Sequence, residues 1–246
     1  MTNQELKLIS NLKQKKYRKK HGTFIIEGKR LITAAVDYKA NITTIYTTEL
    51  FQKSNMELII KLEKSKLTIK TIPSKQLDKM ALTKTPSGIT AICKIPTKKN
   101  LDLEQNKWLY LDNISDPGNM GTILRSAGWF NYKHIAISSK SVDVYSPKVV
   151  RAGMGAHFGL SIYTGIDLSI FSSTHHLFGA DKEGKKTTEI DHPEKLVLVL
   201  GNEAHGLSKN SRELLNKYVS IDKIGFGESL NVSAAAAILM NHFSKN

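Results

Sequence analysis

The sequence predicts an α/β protein of two domains, a smaller basic one ahead of a parallel-sheet one. Three observations carry this. Short apolar runs alternate with helical stretches from Thr23 to Leu200, the order in which strands and crossover helices build layers. The later runs Lys107–Leu111 and Leu196–Leu200 are apolar at nearly every position, as in strands covered on both faces of a parallel sheet. Charge is also segregated. Residues 1–100 hold 21 Lys/Arg against 7 Asp/Glu, and residues 101–246 hold 15 of each, so the net +14 sits in the first part.

The first domain is expected over residues 1–97. Glu5–Leu12 reads as a helix, followed by the tract Lys13–Lys20 with six positive charges and Tyr17, a composition suited to phosphate contacts and stacking. Thr23–Glu27 reads as a strand leading through Gly28 into an amphipathic helix. Further strands are predicted at Ile42–Thr47, Leu67–Ile72 and Gly88–Lys94, with helices near Asn55–Glu63 and Ser74–Met80. Thr85–Gly88 has turn composition. Residues 98–106 are polar and aperiodic and read as a linker.

The second domain is expected over 107–246. Strands are predicted at Lys107–Leu111, His134–Ser138, Leu196–Leu200 and Tyr218–Ile221, and helices at Gly118–Phe130, Ser146–Ala156, Ser208–Asn216 and Leu230–Phe243. The last helix is small or apolar nearly all round, so it must be buried on several sides.

Composition narrows the function. The single cysteine, Cys93, excludes an internal disulfide and a cysteine-based zinc site and is expected in a core. His175, His176 and His205 do not stand at metal-ligand spacing, and no metal is expected. Met1–Lys20 lacks the apolar segment of a signal peptide, and the longest apolar runs are too short to span a bilayer, so a soluble cytoplasmic protein is expected. A basic segment joined to a neutral one points to a polyanion. Nucleic acid fits better than a membrane, because no strongly apolar helical face opposes the lysines.

Three polar segments carry the chemistry. The first, Asn113–Ala127, leaves an apolar strand and enters a helix, with Asp116 as cap, Pro117 in the first turn and Asn119 and Arg125 on different faces. The second is Leu198–Ser208, the third Ile224–Ala234. Gly225–Leu230 lacks the third glycine of a dinucleotide fingerprint, and Gly153–Gly159 has the wrong spacing, which argues against a nicotinamide enzyme. Together, in this order, the three segments resemble the signature motifs of the SpoU/TrmH family of RNA ribose 2′-O-methyltransferases, of the SPOUT class. The stretch Tyr17–Leu31 is similar to the substrate-binding domain found ahead of many SpoU catalytic domains.

The resemblance implies a parallel-sheet domain with a C-terminal trefoil knot near 201–231, a homodimer, and a first domain similar to kink-turn-binding ribosomal proteins. It implies S-adenosylmethionine as cofactor, with Gly201, Ile221 and Leu230 lining its pocket largely through main-chain groups. It places Arg125, Asn119, Glu203, Ser229 and Asn231 at the reacting centre. Methylating a ribose hydroxyl requires alignment, removal of a proton and stabilisation of developing negative charge. A guanidinium stays charged in nearly all protein settings, so Arg125 is expected to bind the adjacent phosphate and stabilise the nascent alkoxide. Asn119 would orient the ribose or Arg125, and Glu203 would accept from Arg125 or a backbone amide. Large-subunit ribosomal RNA is the expected substrate. A transfer-RNA methyltransferase and a non-catalytic RNA-binding or assembly protein of the same fold are the alternatives.

Overall fold

The computed structural model describes residues 1–97 and 100–244. Lys98 and Lys99, the start of the expected linker, lie outside the described residues. Two compact units form: Met1–Thr97 with Asp143–Phe158, and the remaining described chain.

In the first unit, helix α1 (Asn3–Asn11) begins at Thr2, whose hydroxyl accepts from the Glu5 amide. Helix α2 (Lys15–His21) ends at Gly22 in the left-handed region. Strand β1 (Thr23–Glu27), helix α3 (Lys29–Asp37) and strand β2 (Ile42–Thr47) follow. Then come helices α4 (Glu49–Ser54) and α5 (Met56–Lys64), strand β3 (Ile69–Thr71), helix α6 (Ser74–Met80) and strand β4 (Ile89–Lys94). The sheet order is β1-β4-β2-β3, with β4 antiparallel to both neighbours and β3 parallel to β2. Strand alternation sends Phe24 and Ile26 into one core with Ile32, Ile45 and Leu62. It sends Ile25 and Tyr46 into the other, against Leu6, Ile9 and Leu77. Both faces are therefore covered, which a mostly buried four-stranded sheet requires.

The second unit starts with strand β5 (Lys107–Leu111), helix α7 (Pro117–Trp129) and strand β6 (His134–Ile137). Helix α8 (Pro147–Ala152) belongs to the first unit. Strand β7 (Ser161–Thr164), strand β8 (His176–Lys186), strand β9 (Leu196–Leu200), helix α9 (Lys209–Leu214), strand β10 (Lys217–Ser220) and helix α10 (Val232–Ser244) complete the described chain. All six strands are parallel, in the order β10-β8-β9-β5-β6-β7. Every residue of β9 is buried, as is β5 beyond Lys107. The strand sequence runs outward in one direction from β5 and returns through β8 and β9 on its other side. The carboxyl ends of β5 and β9 thus lie at a topological switch point, where α/β sheets open a crevice.

Four sequence expectations change. The segment Asp143–Phe158, expected in the second domain, packs with the first unit. There Val150 joins the core containing Phe24 and Ile26, and the Tyr145 and Phe24 rings lie 5.0 Å apart. The helix expected over Ser146–Ala156 stops at Ala152, because Met154 and Gly155 adopt positive φ. The basic tract is a helix, and one of its charges is not free. Arg18 is only 3% exposed. Its guanidinium donates to the Leu12 and Lys13 carbonyls at 2.7 and 2.8 Å, and from Nε to Asp143 at 3.1 Å. Tyr17 is half-buried against the Leu6–Ile9 core, with its ring stacked on that of His21 at 6.5 Å. Finally, β7 and β8 had no place in the expected strand set. The second half of β8 is mostly charged, and β7 is only partly buried, so neither shows the apolar run of its neighbours.

Candidate active site

Asp116 caps α7, its carboxylate accepting from the Asn119 amide at 2.8 Å, with Pro117 opening the helix. That cap fixes where the Asn119 side chain stands. Across from it, the loop leaving β9 is pinched shut by paired bonds between Asn202 and Gly206, N–H to carbonyl in both directions at 2.8 and 2.9 Å. Gly201 must be glycine there, because a Cβ would collide with the backbone of Gly206 and Leu207. The buried Asp112, directly after β5, accepts from the Ser208 amide at 2.7 Å and so ties the end of this loop to the central strand. Asn202 donates to the Asn113 carbonyl at 2.8 Å and to Ser115 at 3.3 Å.

Glu203 spans the two loops. One carboxylate oxygen accepts from the Ser115 amide and hydroxyl at 3.3 and 3.1 Å. The other accepts from the Asp116 amide at 3.2 Å and from Asn119 Nδ2 at 3.1 Å. Burial alone would raise its pKa, but the hydrogen bonds from its own amide, Asn119, Ser115 and Asp116 outweigh burial and hold the carboxyl below its ordinary value. Asn119 then passes the chain onward, its Oδ1 accepting from Asn231 Nδ2 at 3.0 Å. Asn231 in turn accepts from the Ser233 amide and hydroxyl at 2.8 and 2.6 Å, which caps the start of α10. A single polar chain, Glu203–Asn119–Asn231–Ser233, therefore joins three segments far apart in sequence.

Of the residues expected at the reacting centre, Asn119, Glu203 and Asn231 are brought together. Arg125 is not bonded into this group. It stands on the exposed face of α7 with Thr122 and Trp129, and among the described residues it has no hydrogen bond or ion pair. The partners of Glu203 are backbone amides, Ser115 and Asn119, not Arg125. Ser229 likewise makes no bond among the described residues and lies in the exposed stretch 222–231. Asp112, Ser115 and Asn202 belong to the site although the motifs alone did not single them out. The signal for each was a polar residue following closely on a buried strand. Among the described residues, no group of three or more His, Cys, Asp or Glu is placed to hold a metal ion.

Residues 106–241 match the SpoU rRNA Methylase family, and residues 3–91 match the MRM3-like substrate binding domain. The chain belongs to the SpoU rRNA methylase family. Among relatives of this SpoU methylase is the 23S rRNA (guanosine(2553)-2′-O)-methyltransferase RlmP of Bacillus subtilis. It is 28% identical over 246 residues, covering 98% of this chain and 96% of that one. A solved TrmH-family structure from Porphyromonas gingivalis superposes with a TM-score of 0.85 at 26% identity, over 99% of this chain and 98% of that chain. The SpoU methyltransferase AviRb from Streptomyces viridochromogenes, solved in complex with AdoMet, gives a TM-score of 0.88 at 23% identity over 99% and 98% of the two chains, a likeness of fold.

Proposed function

We propose that this SpoU methylase transfers a methyl group from S-adenosylmethionine to a ribose 2′-hydroxyl of large-subunit ribosomal RNA. The single observation that carries this is the polar chain Glu203–Asn119–Asn231 at the switch point of a SpoU-family sheet, with the unpartnered Arg125 further along the helix that holds Asn119.

The residues present suit the cofactor. Gly225 and Gly227 face open space, and Gly227 takes a φ of 113°, so the backbone of 222–231 is open to close approach. Ile224 and Phe226 are fully exposed, supplying apolar surface for a flat heterocycle. Gly201, Ile221 and Leu230 would hold the group mainly through main-chain atoms. When bound, S-adenosylmethionine supplies an electrophilic methyl on a sulfonium that departs as a neutral thioether. Everything else falls to the protein. Glu203 has its hydrogen bonds committed to Ser115, Asp116 and the Asn119 side chain, so it fixes the site rather than taking the proton. Asn119 has one N–H and one lone pair left after Glu203 and Asn231, enough to orient a ribose. Arg125 provides charge for the neighbouring phosphate and the developing alkoxide, with the proton leaving through phosphate or water. Ser229 adds a free hydroxyl at the mouth of α10.

Four further readings complete the proposal. The stretch 201–231 threads a loop to form the trefoil knot that SpoU resemblance implies. Two copies pair through the exposed sides of α7 and α10, where Trp129 is 84% and Ile238 44% exposed. Residues 1–97, related in kind to kink-turn-binding ribosomal proteins, present RNA to the sheet domain across the linker 98–106. The place of action is the cytoplasm, where ribosomal RNA is found. No described helix is long and apolar enough to cross a membrane.

The test is to incubate the protein with a large-subunit rRNA transcript and methyl-labelled S-adenosylmethionine, then digest the product to nucleosides. Label in a 2′-O-methyl nucleoside is the expected result. Label in a base, or none at all, would overturn the proposal.

A further inference from the structure

The first unit contains a cleft of about 360 Å³, within the size range of sites that enclose a small ligand. Its lining includes the apolar Phe51, Leu77 and Pro86 and the polar Ser74, Asp78 and Ser87. Gly88, also in the lining, adopts a φ of 86°, and a Cβ there would run into Phe51. Among the described residues, the side-chain oxygens of Ser74, Asp78 and Ser87 have no hydrogen bond or ion pair. All three residues are exposed, so no protein group competes for them. A ligand entering the cleft meets three uncommitted polar groups set among apolar surface.

Charge separates what the cleft can take from what surrounds it. The Asp78 carboxylate accepts hydrogen bonds and donates none, so a phosphate inside would be repelled. Lys29 donates to the lining residue Asn55 at 3.0 Å, and the exposed Lys75 and Lys84 stand next to Ser74 and two residues before Pro86 in sequence, respectively. A flat group rich in N–H donors is wanted inside, and a polyanion outside.

We infer that this cleft receives an unpaired guanine of the RNA substrate, with Asp78 accepting from its Watson–Crick edge while the lysines meet the backbone. Guanine alone among the four bases offers two adjacent donors, N1–H and the N2 amine, that match one carboxylate. Adenine and cytosine set a ring acceptor beside their amine, and uracil flanks its N–H with two carbonyls. Unpaired bases of RNA are the ones that proteins splay out and read on this edge. The inference rests on the reading that the chain acts on RNA and adds a second, base-selective contact in the other unit.

The experiment is an NMR titration of the full nitrogen-labelled protein. The probes are GMP, IMP, inorganic phosphate, and an oligouridine carrying one central guanosine or inosine. GMP and the guanosine oligomer should shift the amides of Phe51, Asp78, Ser87 and Gly88. Removing the N2 amine in the inosine forms should weaken binding about tenfold, as should Asp78→Asn, which keeps the shape of the side chain. Asp78→Asn should also erase the preference for guanosine while leaving the rest of the spectrum in place. Equal binding of the two purines, the same shifts with inorganic phosphate, or shifts outside the cleft would each overturn the inference. The oligomer should bind more tightly than GMP at low salt. The reverse order would assign the cleft to a free nucleotide and overturn the RNA reading of it. None of these signals requires S-adenosylmethionine or turnover. A failed cleft with active methyl transfer, and an occupied cleft with no methyl transfer, therefore point to different errors.

Discussion

Glu203 and His157 show what single side chains contribute and how each can be tested. Truncating Glu203 to Ala removes the acceptor for four donors: the Ser115 amide and hydroxyl, the Asp116 amide and the Asn119 amide group. All four bonds are solvent-exposed, so water can replace the lost acceptor and each costs only the net worth of a hydrogen bond, about 0.5–1.5 kcal/mol. The melting temperature of Glu203→Ala should therefore fall by several degrees, with methyl transfer abolished as the loops separate. A variant as stable as wild type would remove Glu203 from the role of fastener. His157 is buried, donates from Nε2 to the Val144 carbonyl at 2.9 Å, and has Nδ1 without a partner. Burial pushes its pKa down to about 4, against the pull of the Val144 carbonyl. The unfolded imidazole titrates near its ordinary value of 6.5, so between the two values the unfolded chain binds more protons. The neutral folded form is thus fully stabilised above pH 6.5 and loses up to about 3 kcal/mol as pH falls toward 4. Denaturation at about pH 7 and about pH 5 should reveal the difference, and His157→Phe should flatten it. The identities of Asn119, Glu203 and Asn231 were legible in the sequence, but their mutual bonding was not. Bonds between positions more than 80 residues apart depend on which strands become neighbours.

At the scale of elements, α7 was readable because local rules agree with the tertiary fold. Asp116 and Pro117 mark its start, and its apolar residues pack inward. The basic helix α2 was not readable as a helix, since exposed lysines on either side of Tyr17 and Arg18 give no apolar stripe. Burial of Arg18 decides it. That burial depends on Asp143, 125 residues away. The segment Asp143–Phe158 is therefore an element of the first unit, contributed by the later chain. A protein lacking residues 1–97 would leave Val150, Tyr145 and Phe158 without the core they pack against. We expect such a truncation to aggregate or to be cut rapidly by protease within 143–158. A soluble, protease-resistant truncation would contradict the assignment of this segment. The milder test is Arg18→Ala, which strands Asp143 near the interior and should cost about 3–5 kcal/mol, seen as a shifted denaturation midpoint.

Across the whole molecule, charge and chemistry are divided between two units built on different sheets. The excess of +14 was visible in the composition, and so was its place in residues 1–100. Composition could not show that Lys15, Lys16, Lys19 and Lys20 stand exposed along one helix while Arg18 is consumed by structure. Replacing those four lysines by glutamine should lower RNA affinity and flatten its salt dependence, by roughly 0.7–0.9 in log–log slope for each phosphate left without its cation. Affinity and slope equal to wild type would place the RNA elsewhere. The parallel order of the central strands followed from their apolar runs, whereas the full six-stranded order needed β7 and β8, whose sequences are too polar to announce themselves. The central claim is that a site fastened by Glu203, Asn119 and Asn231 leaves Arg125 free to act on the RNA. Single-turnover methyl transfer by Arg125→Ala, measured beside its S-adenosylmethionine affinity and melting temperature, tests it most directly. A rate reduced by about 100-fold or more, with cofactor affinity and melting temperature unchanged, is the predicted result. A wild-type rate would contradict the account.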